Sequence, residues 1–164
     1  MGHDTRCDCF PKVIRGRVAG FVVMATYKLV VPRDYGCIVL VGVGSTLVNA
    51  WLSFRVGRAR KRYGVKYPTM YSDDNVVFNC IQRSHQNFLE AYPQFLMTLF
   101  IGGIEFPRVA AGAGMVYLLG RIAYAIGYST GDPSKRMRGG FLYFGELTLL
   151  GLTVRQGLRM LEYV

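Results

Sequence analysis

From Ile38 to Phe54 the chain carries no charged residue. With Tyr35 to Cys37 added, this run approaches the roughly 20 apolar residues that a bilayer-crossing helix needs. It predicts a first helix. Basic positions follow: Arg55, Arg58, Arg60, Lys61, Arg62 and Lys66, then Pro68 and the turn Ser72-Asp73-Asp74-Asn75. They read as the end of that helix and a loop of about ten residues. A second helix is predicted from Val76 to Ile104. Only Ala91 to Ile104 of it is free of charge, so Arg83 and Glu90 lie within it, and Pro93 is expected to kink it. Gly102, Gly103 and Pro107 mark a tight turn. A third helix is predicted from Arg108 to Thr130 with Arg121 inside it, and a fourth from Gly139 to Met160 with Glu146 inside it. Gly131-Asp132-Pro133-Ser134 breaks the chain between them. Small residues suited to close helix contacts punctuate the first helix (Gly42, Gly44, Ser45, with Asn49) and the third (Gly112, Gly114, Gly120, Gly127).

Residues 1–33 do not fit this pattern. Lys12, Arg15 and Arg17 precede an apolar run, Val18 to Tyr27, that is too short to span comfortably. A signal peptide would need a small-residue cleavage site, which is not evident. Met24 stands as an alternative start. The segment is expected to be a mobile or interfacial tail, and residues 34–164 a domain of four transmembrane helices.

Composition sharpens the membrane reading. Charged residues make up 18% of the 164 and hydrophobic ones 51%, against about 25% charged in an average soluble domain. The net charge of +10 would also suit a nucleic-acid binder. Here, however, the basic residues lie between apolar runs instead of along one polar face, which argues against nucleic acid. Cys7 and Cys9 lack zinc-pair spacing, and Cys37 and Cys80 sit in apolar surroundings, so neither a disulfide framework nor a metal site is expected. Both basic connections, between helices one and two and between helices three and four (Lys135, Arg136, Arg138), are expected in the cytosol. Both termini then face the opposite side. The basic tail opposes this orientation.

Ionisable residues inside a membrane cost about 2.5–3.5 kcal/mol each on insertion scales, so they are functional candidates by default. Arg83, Asn87 and Glu90 follow one another at steps of four and three, and so share a helical face. Arg121, Tyr124 and Tyr128 do the same on helix three. Both stripes approach the end of the molecule where the basic connections lie. A purely structural alternative pairs Arg83 with Glu90 and Arg121 with Glu146 as glue between helices. The positive excess that remains suits a small anion.

The segment Phe78 to Glu90, with Arg83-x-x-x-Asn87-x-x-Glu90 on the second helix, resembles the signature of the membrane-associated eicosanoid and glutathione metabolism (MAPEG) family. Three further blocks resemble its type-three microsomal glutathione transferase branch. They are Ala59-Arg60-Lys61-Arg62-Tyr63-Gly64-Val65-Lys66-Tyr67-Pro68, Gly120-Arg121-Ile122-Ala123-Tyr124-Ala125-Ile126-Gly127-Tyr128, and Gly131-Asp132-Pro133-Ser134-Lys135-Arg136-Met137-Arg138-Gly139. The resemblance covers roughly residues 34 to 155.

The resemblance implies an all-α integral membrane protein, a left-handed four-helix bundle assembled as a homotrimer in the endoplasmic reticulum membrane. Glutathione would be the co-substrate, bound between subunits by Arg60, Arg83, Asn87, Glu90, Tyr124 and Tyr128. Glu90 would meet its amine and the arginines its carboxylates. Arg136 would stabilise the glutathione thiolate, with Arg138 as the alternative and Lys61 assisting. His85 stands where leukotriene C4 synthase has a glutamine that contacts glutathione, so it either binds the peptide or faces a neighbouring helix. Ala91 stands where that enzyme has a tyrosine, and leukotriene specificity does not carry over. The implied activity is glutathione transfer to lipophilic electrophiles, with peroxidase activity toward lipid hydroperoxides. The alternatives are conjugation of the leukotriene C4 synthase type and a non-enzymatic lipid-presenting scaffold like the five-lipoxygenase-activating protein. A small channel lined by the charges is a more remote reading.

Overall fold

The computed structural model describes residues 31–163. Most of the expected N-terminal tail, with Cys7, Cys9 and the apolar run Val18–Tyr27, lies outside the described residues. The described fold is helical. A 3₁₀ turn, Arg33–Tyr35, leads into α1 (Gly36–Tyr63), followed by α2 (Val76–Gly102), α3 (Pro107–Tyr128), a 3₁₀ segment over Pro133–Gly139, and α4 (Leu142–Met160).

The basic cluster forms the end of a helix followed by a loop, as expected, with the boundary at Tyr63. Arg55, Arg58, Arg60, Lys61 and Arg62 all lie on the last turns of α1, and only Lys66 falls in the connection. Arginine and lysine are good helix formers, and nothing breaks the helix before Gly64. There a left-handed residue (φ 67°) ends it, with the Val65 N–H returning to the Arg60 carbonyl at 3.1 Å. The cations at this C-terminus also complement the helix dipole. Asn75 starts α2 by accepting the Phe78 N–H at 2.9 Å. Pro93 lies inside α2 without ending it.

α1 packs on α2 and α3, α2 packs also on α3 and α4, and α3 packs on α4. The core they share includes Ile38, Phe88, Phe95, Leu99, Tyr117 and Leu149, with Phe95 and Tyr117 stacked at 4.3 Å between ring centroids. Ser45 of α1 and Tyr92 of α2 meet at 3.0 Å. Of the helix-three glycines expected at close contacts, Gly114 is one: a Cβ there would stand 2.8 Å from Val41 Cγ1. Gly112 is not, since it has open space around it.

Polar contacts define the two ends. At one end Arg108 pairs with Asp34 at 2.7 Å, and Glu105 pairs with Arg155 at 3.3 Å and Arg159 at 3.0 Å. These join the start of α1, the α2–α3 turn and the end of α4. Hydrogen bonding from Arg155, helped by the charge of Arg159, holds the Glu105 carboxyl below its usual range. At the other end, the connection after α3 returns to the start of α2, where Gly131 lies against Val77. The end of α1 and the Pro133–Gly139 segment therefore share one end of the molecule, as the loop charges anticipated.

Among the described residues, two stretches are long and apolar enough to cross a membrane: Arg33–Tyr63 and α3. α2 and α4 do not meet that test of composition, although the sequence reading expected four spans. All four helices nevertheless point large apolar side chains outward. Leu40, Leu47, Met97, Leu119, Phe144 and Leu147 are all at least half exposed. Such surfaces are rare on soluble monomers. They fit a membrane-associated protein.

Candidate functional site

The residues predicted to act together divide among three places. The first is a cavity of about 400 Å³ at the basic end, between α2, α3, the 3₁₀ segment and α4. It is lined by Asn87, Arg121, Tyr124, Arg136, Tyr143 and Glu146, among others. That volume is within the range of small-molecule sites. Arg121 is only 7% exposed and spans two helices. Its Nε donates to the Tyr117 hydroxyl at 3.0 Å, one turn back on α3, and its Nη1 donates to Asn87 Oδ1 on α2 at 2.7 Å. Asn87 thereby presents its carbonyl oxygen to the protein, and its amide nitrogen remains as a donor.

The tyrosine pair stands beside this cavity. Tyr124 and Tyr128 meet edge to face at 5.6 Å, one helical turn apart. The Arg136 guanidinium lies 6.0 Å from the Tyr128 ring centroid, at the outer limit of a cation–π contact. Arg136 lines the cavity, whereas Arg138 is not among its lining residues. The 3₁₀ segment that carries both begins with a side-chain cap. The Asp132 carboxylate accepts from the Ser134 N–H at 3.0 Å and its hydroxyl at 2.7 Å, with Lys135 at 3.6 Å. The Ser134 bonds above all, then Lys135, keep the Asp132 carboxyl below its ordinary range.

The second place is the exposed face of α2. Arg83 and Glu90 pair at 3.2 Å, each side chain about half exposed. The pairing expected of the structural alternative therefore exists, but it lies along one helix and joins no two. The other pair proposed as glue, Arg121 with Glu146, is not formed: Arg121 bonds Tyr117 and Asn87, while Glu146 accepts from Gln94 Nε2 at 3.2 Å.

The third place is the end of α1. A cavity of about 730 Å³ is lined by Phe54, Arg58, Arg60, Lys61, Lys66 and Tyr67, among others. The lining holds four cations and no carboxylate. Arg60 is itself buried. Its Nη1 donates to the Thr69 carbonyl at 2.8 Å, and its guanidinium lies 4.3 Å from the Tyr67 ring centroid. It thus holds the loop while facing the cavity.

His85 belongs to none of these. Its Nε2 stands 3.1 Å from Asn49 Oδ1 on α1. It lies two positions along the chain from Arg83 and from Asn87, which at 3.6 residues per turn puts it on nearly the opposite side of α2. His85 thus faces a neighbouring helix.

Arg121 was legible as part of the helix-three stripe, Glu146 was weighed only as glue, and Tyr143 was missed. One signal could have found it: Tyr143 and Glu146 are three residues apart and so share a face of α4.

A family model described as the MAPEG family matches residues 38–156. Among curated relatives, the microsomal glutathione S-transferase 2 of Homo sapiens is 36% identical over 113 residues, covering 68% of this chain and 75% of that protein. The Mus musculus protein of the same name is 35% identical over 118 residues, 71% of this chain and 78% of that one. The leukotriene C4 synthase of Cavia porcellus is 36% identical over 93 residues, 56% of this chain and 59% of that protein.

Proposed function

Because the chain belongs to the MAPEG family, we propose that it is a glutathione transferase of the endoplasmic reticulum membrane, acting on lipophilic electrophiles and lipid hydroperoxides. The observation that carries this reading is the cavity in which Asn87, Tyr124 and Arg136 converge with Arg121. The site offers cations and neutral donors in excess over its single carboxylate, which suits an anionic peptide. The names of the relatives, glutathione S-transferases and a leukotriene C4 synthase, point to the same co-substrate.

In this reading all four helices span the membrane as a left-handed bundle. At 1.5 Å per residue, the 27 residues of α2 and 19 of α4 extend roughly 40 and 28 Å; the first exceeds a hydrocarbon core of about 30 Å and the second nearly matches it. Three copies assemble. A trimer brings the cationic α1 end of one copy, with Arg60 and Lys61, toward the Arg83–Glu90 face and the cavity of the next. Such an assembly accounts for the scatter of the candidate residues over three places in one chain. Glu90 exchanges its Arg83 partner for the glutathione amine, and the freed guanidinium takes a carboxylate. The Asn87 amide donates to a carbonyl or carboxylate oxygen.

Arg136 stands by the sulfur. The thiolate is the nucleophile, and a permanent cation beside it favours the ionised form. In conjugation, the thiolate pair forms a carbon–sulfur bond and the leaving group departs with its own electron pair. In peroxide reduction, sulfur bonds to the terminal oxygen, the O–O bond breaks, and the alkoxide takes a proton to become the alcohol. A second glutathione then converts the sulfenic acid to the disulfide and water.

Calorimetry of glutathione on detergent-purified protein, followed by turnover with a panel of electrophiles and a lipid hydroperoxide, tests the reading. Binding without turnover would instead support the lipid-presenting scaffold. Glu90→Gln should weaken glutathione binding by roughly 1–3 kcal/mol, the cost of leaving a partly buried polar group without its partner, and leave the assembly intact. If the variant dissociates while the residual assembly binds normally, Glu90 is structural instead. For orientation, Lys66→Cys in a background free of other cysteines should react with an impermeant reagent from the cytosolic face of sealed microsomes. Reaction only from the lumen would reverse the topology.

A further inference from the structure

Arg136 sits on the short 3₁₀ segment Pro133–Gly139, which is pressed against α3 at two places where a glycine leaves the backbone bare. We propose that Gly127 and Gly139 are positioning residues: by letting the Pro133–Gly139 strap lie backbone to backbone on α3, they set Arg136 against Tyr124 and Tyr128. This rests on the role given to Arg136 above.

The contacts are between main chains. A Cβ at Gly127 would collide with the Lys135 carbonyl oxygen, with the Lys135 carbonyl carbon at 3.0 Å and Arg138 Cδ at 3.5 Å. Lys135 immediately precedes Arg136, and Gly127 immediately precedes Tyr128. A Cβ at Gly139 would collide with the Gly120 carbonyl oxygen and stand 2.6 Å from both Tyr124 N and Cβ. The strap thus meets α3 beside each tyrosine of the pair, three residues either side of Arg136 or nearer. Real Cβ atoms essentially never come within 3.0 Å of such neighbours, and backbone atoms cannot yield as a side-chain tip does. An added methyl must displace the strap. The start of the strap is fixed separately by Asp132, whose carboxylate caps it through Ser134.

The test titrates the ultraviolet thiolate absorbance of bound glutathione in the purified protein. Gly127→Ala should raise the thiolate pKa toward that of free glutathione by about one unit, a ten-fold loss of thiolate at a given pH below it. Glutathione affinity should change less than about three-fold, because the groups that meet the carboxylates and amine lie on the helices and the added methyl displaces the strap. Gly127→Ala combined with Arg136→Ala should titrate like Arg136→Ala alone, since both act through one guanidinium. Gly112→Ala, in open space on the same helix, is the control and should titrate as the parent.

Should Gly127→Ala fail to fold, Asp132→Ala loosens the strap without adding an atom. Removing its carboxylate would by charge alone lower the thiolate pKa. A rise, reversed in Asp132→Asn, which can still cap, therefore reports the position of the strap. A parent-like titration of Gly127→Ala, or where it does not fold of Asp132→Ala, alongside a shifted Arg136→Ala overturns the inference and leaves the role of Arg136 standing. A parent-like titration of Arg136→Ala overturns both.

Discussion

Arg136→Ala is expected to lower turnover at least ten-fold, by about 1.4 kcal/mol or more, while changing glutathione affinity much less. The arginines and tyrosines that hold the carboxylates act equally on thiol and thiolate. Such uniform binding leaves the chemical step unaffected. A guanidinium beside the sulfur discriminates between the two forms, and each pKa unit of discrimination corresponds to about 1.4 kcal/mol. The structure makes the substitution a clean one. Arg136 is exposed, and among the described residues it joins no ion pair. Its contact with the Tyr128 ring is long, so its loss should not disturb folding. Single-turnover kinetics separate the chemical step from binding. An unchanged rate with a weakened dissociation constant would make Arg136 a carboxylate anchor, and an unchanged titration would turn attention to Arg138.

Arg121→Leu should have its largest effect on stability, with a loss of about 2–3 kcal/mol. The guanidinium is buried and ties α3 to α2 through Asn87 while bonding Tyr117. Hydrogen bonds from a charged donor are worth about 1.5–3 kcal/mol, more than the average of roughly 0.6 kcal/mol for polar contacts between membrane helices. Leucine leaves the Asn87 oxygen and the Tyr117 hydroxyl without this partner. Arg121→Lys keeps the charge but lacks the planar fork that reaches both acceptors, so it should fall between parent and leucine variant. The midpoint of unfolding in a denaturing detergent titration reads this. A midpoint equal to the parent's would mean that the tie is dispensable, and that the residue serves the cavity instead.

What could be read from residues alone is what depends on chain neighbours. The boundaries of α2 and α3 follow from Asn75, Pro107 and the breaks around Gly102 and Gly131. The common face of Arg83, Asn87 and Glu90, and that of Arg121, Tyr124 and Tyr128, follow from helical period. Family membership followed from the same local blocks. The helix end within the basic stretch was legible too, because its cations are good helix formers and Gly64 is the first residue to break them. The choice of partner was not legible. Period assigns a side chain a direction around its own axis but not the helix that stands there. Arg121, which the structural alternative paired with Glu146, meets Asn87 instead, and His85 faces Asn49. The strap over α3 depends on contact between Gly127 and the Lys135 carbonyl, two backbone surfaces that leave almost no trace in hydrophobic pattern. Close approach between main chains requires the absence of a side chain at one point in three dimensions. Along the chain the tightly packed Gly127 and the unpacked Gly112 look alike, and only the folded arrangement separates them.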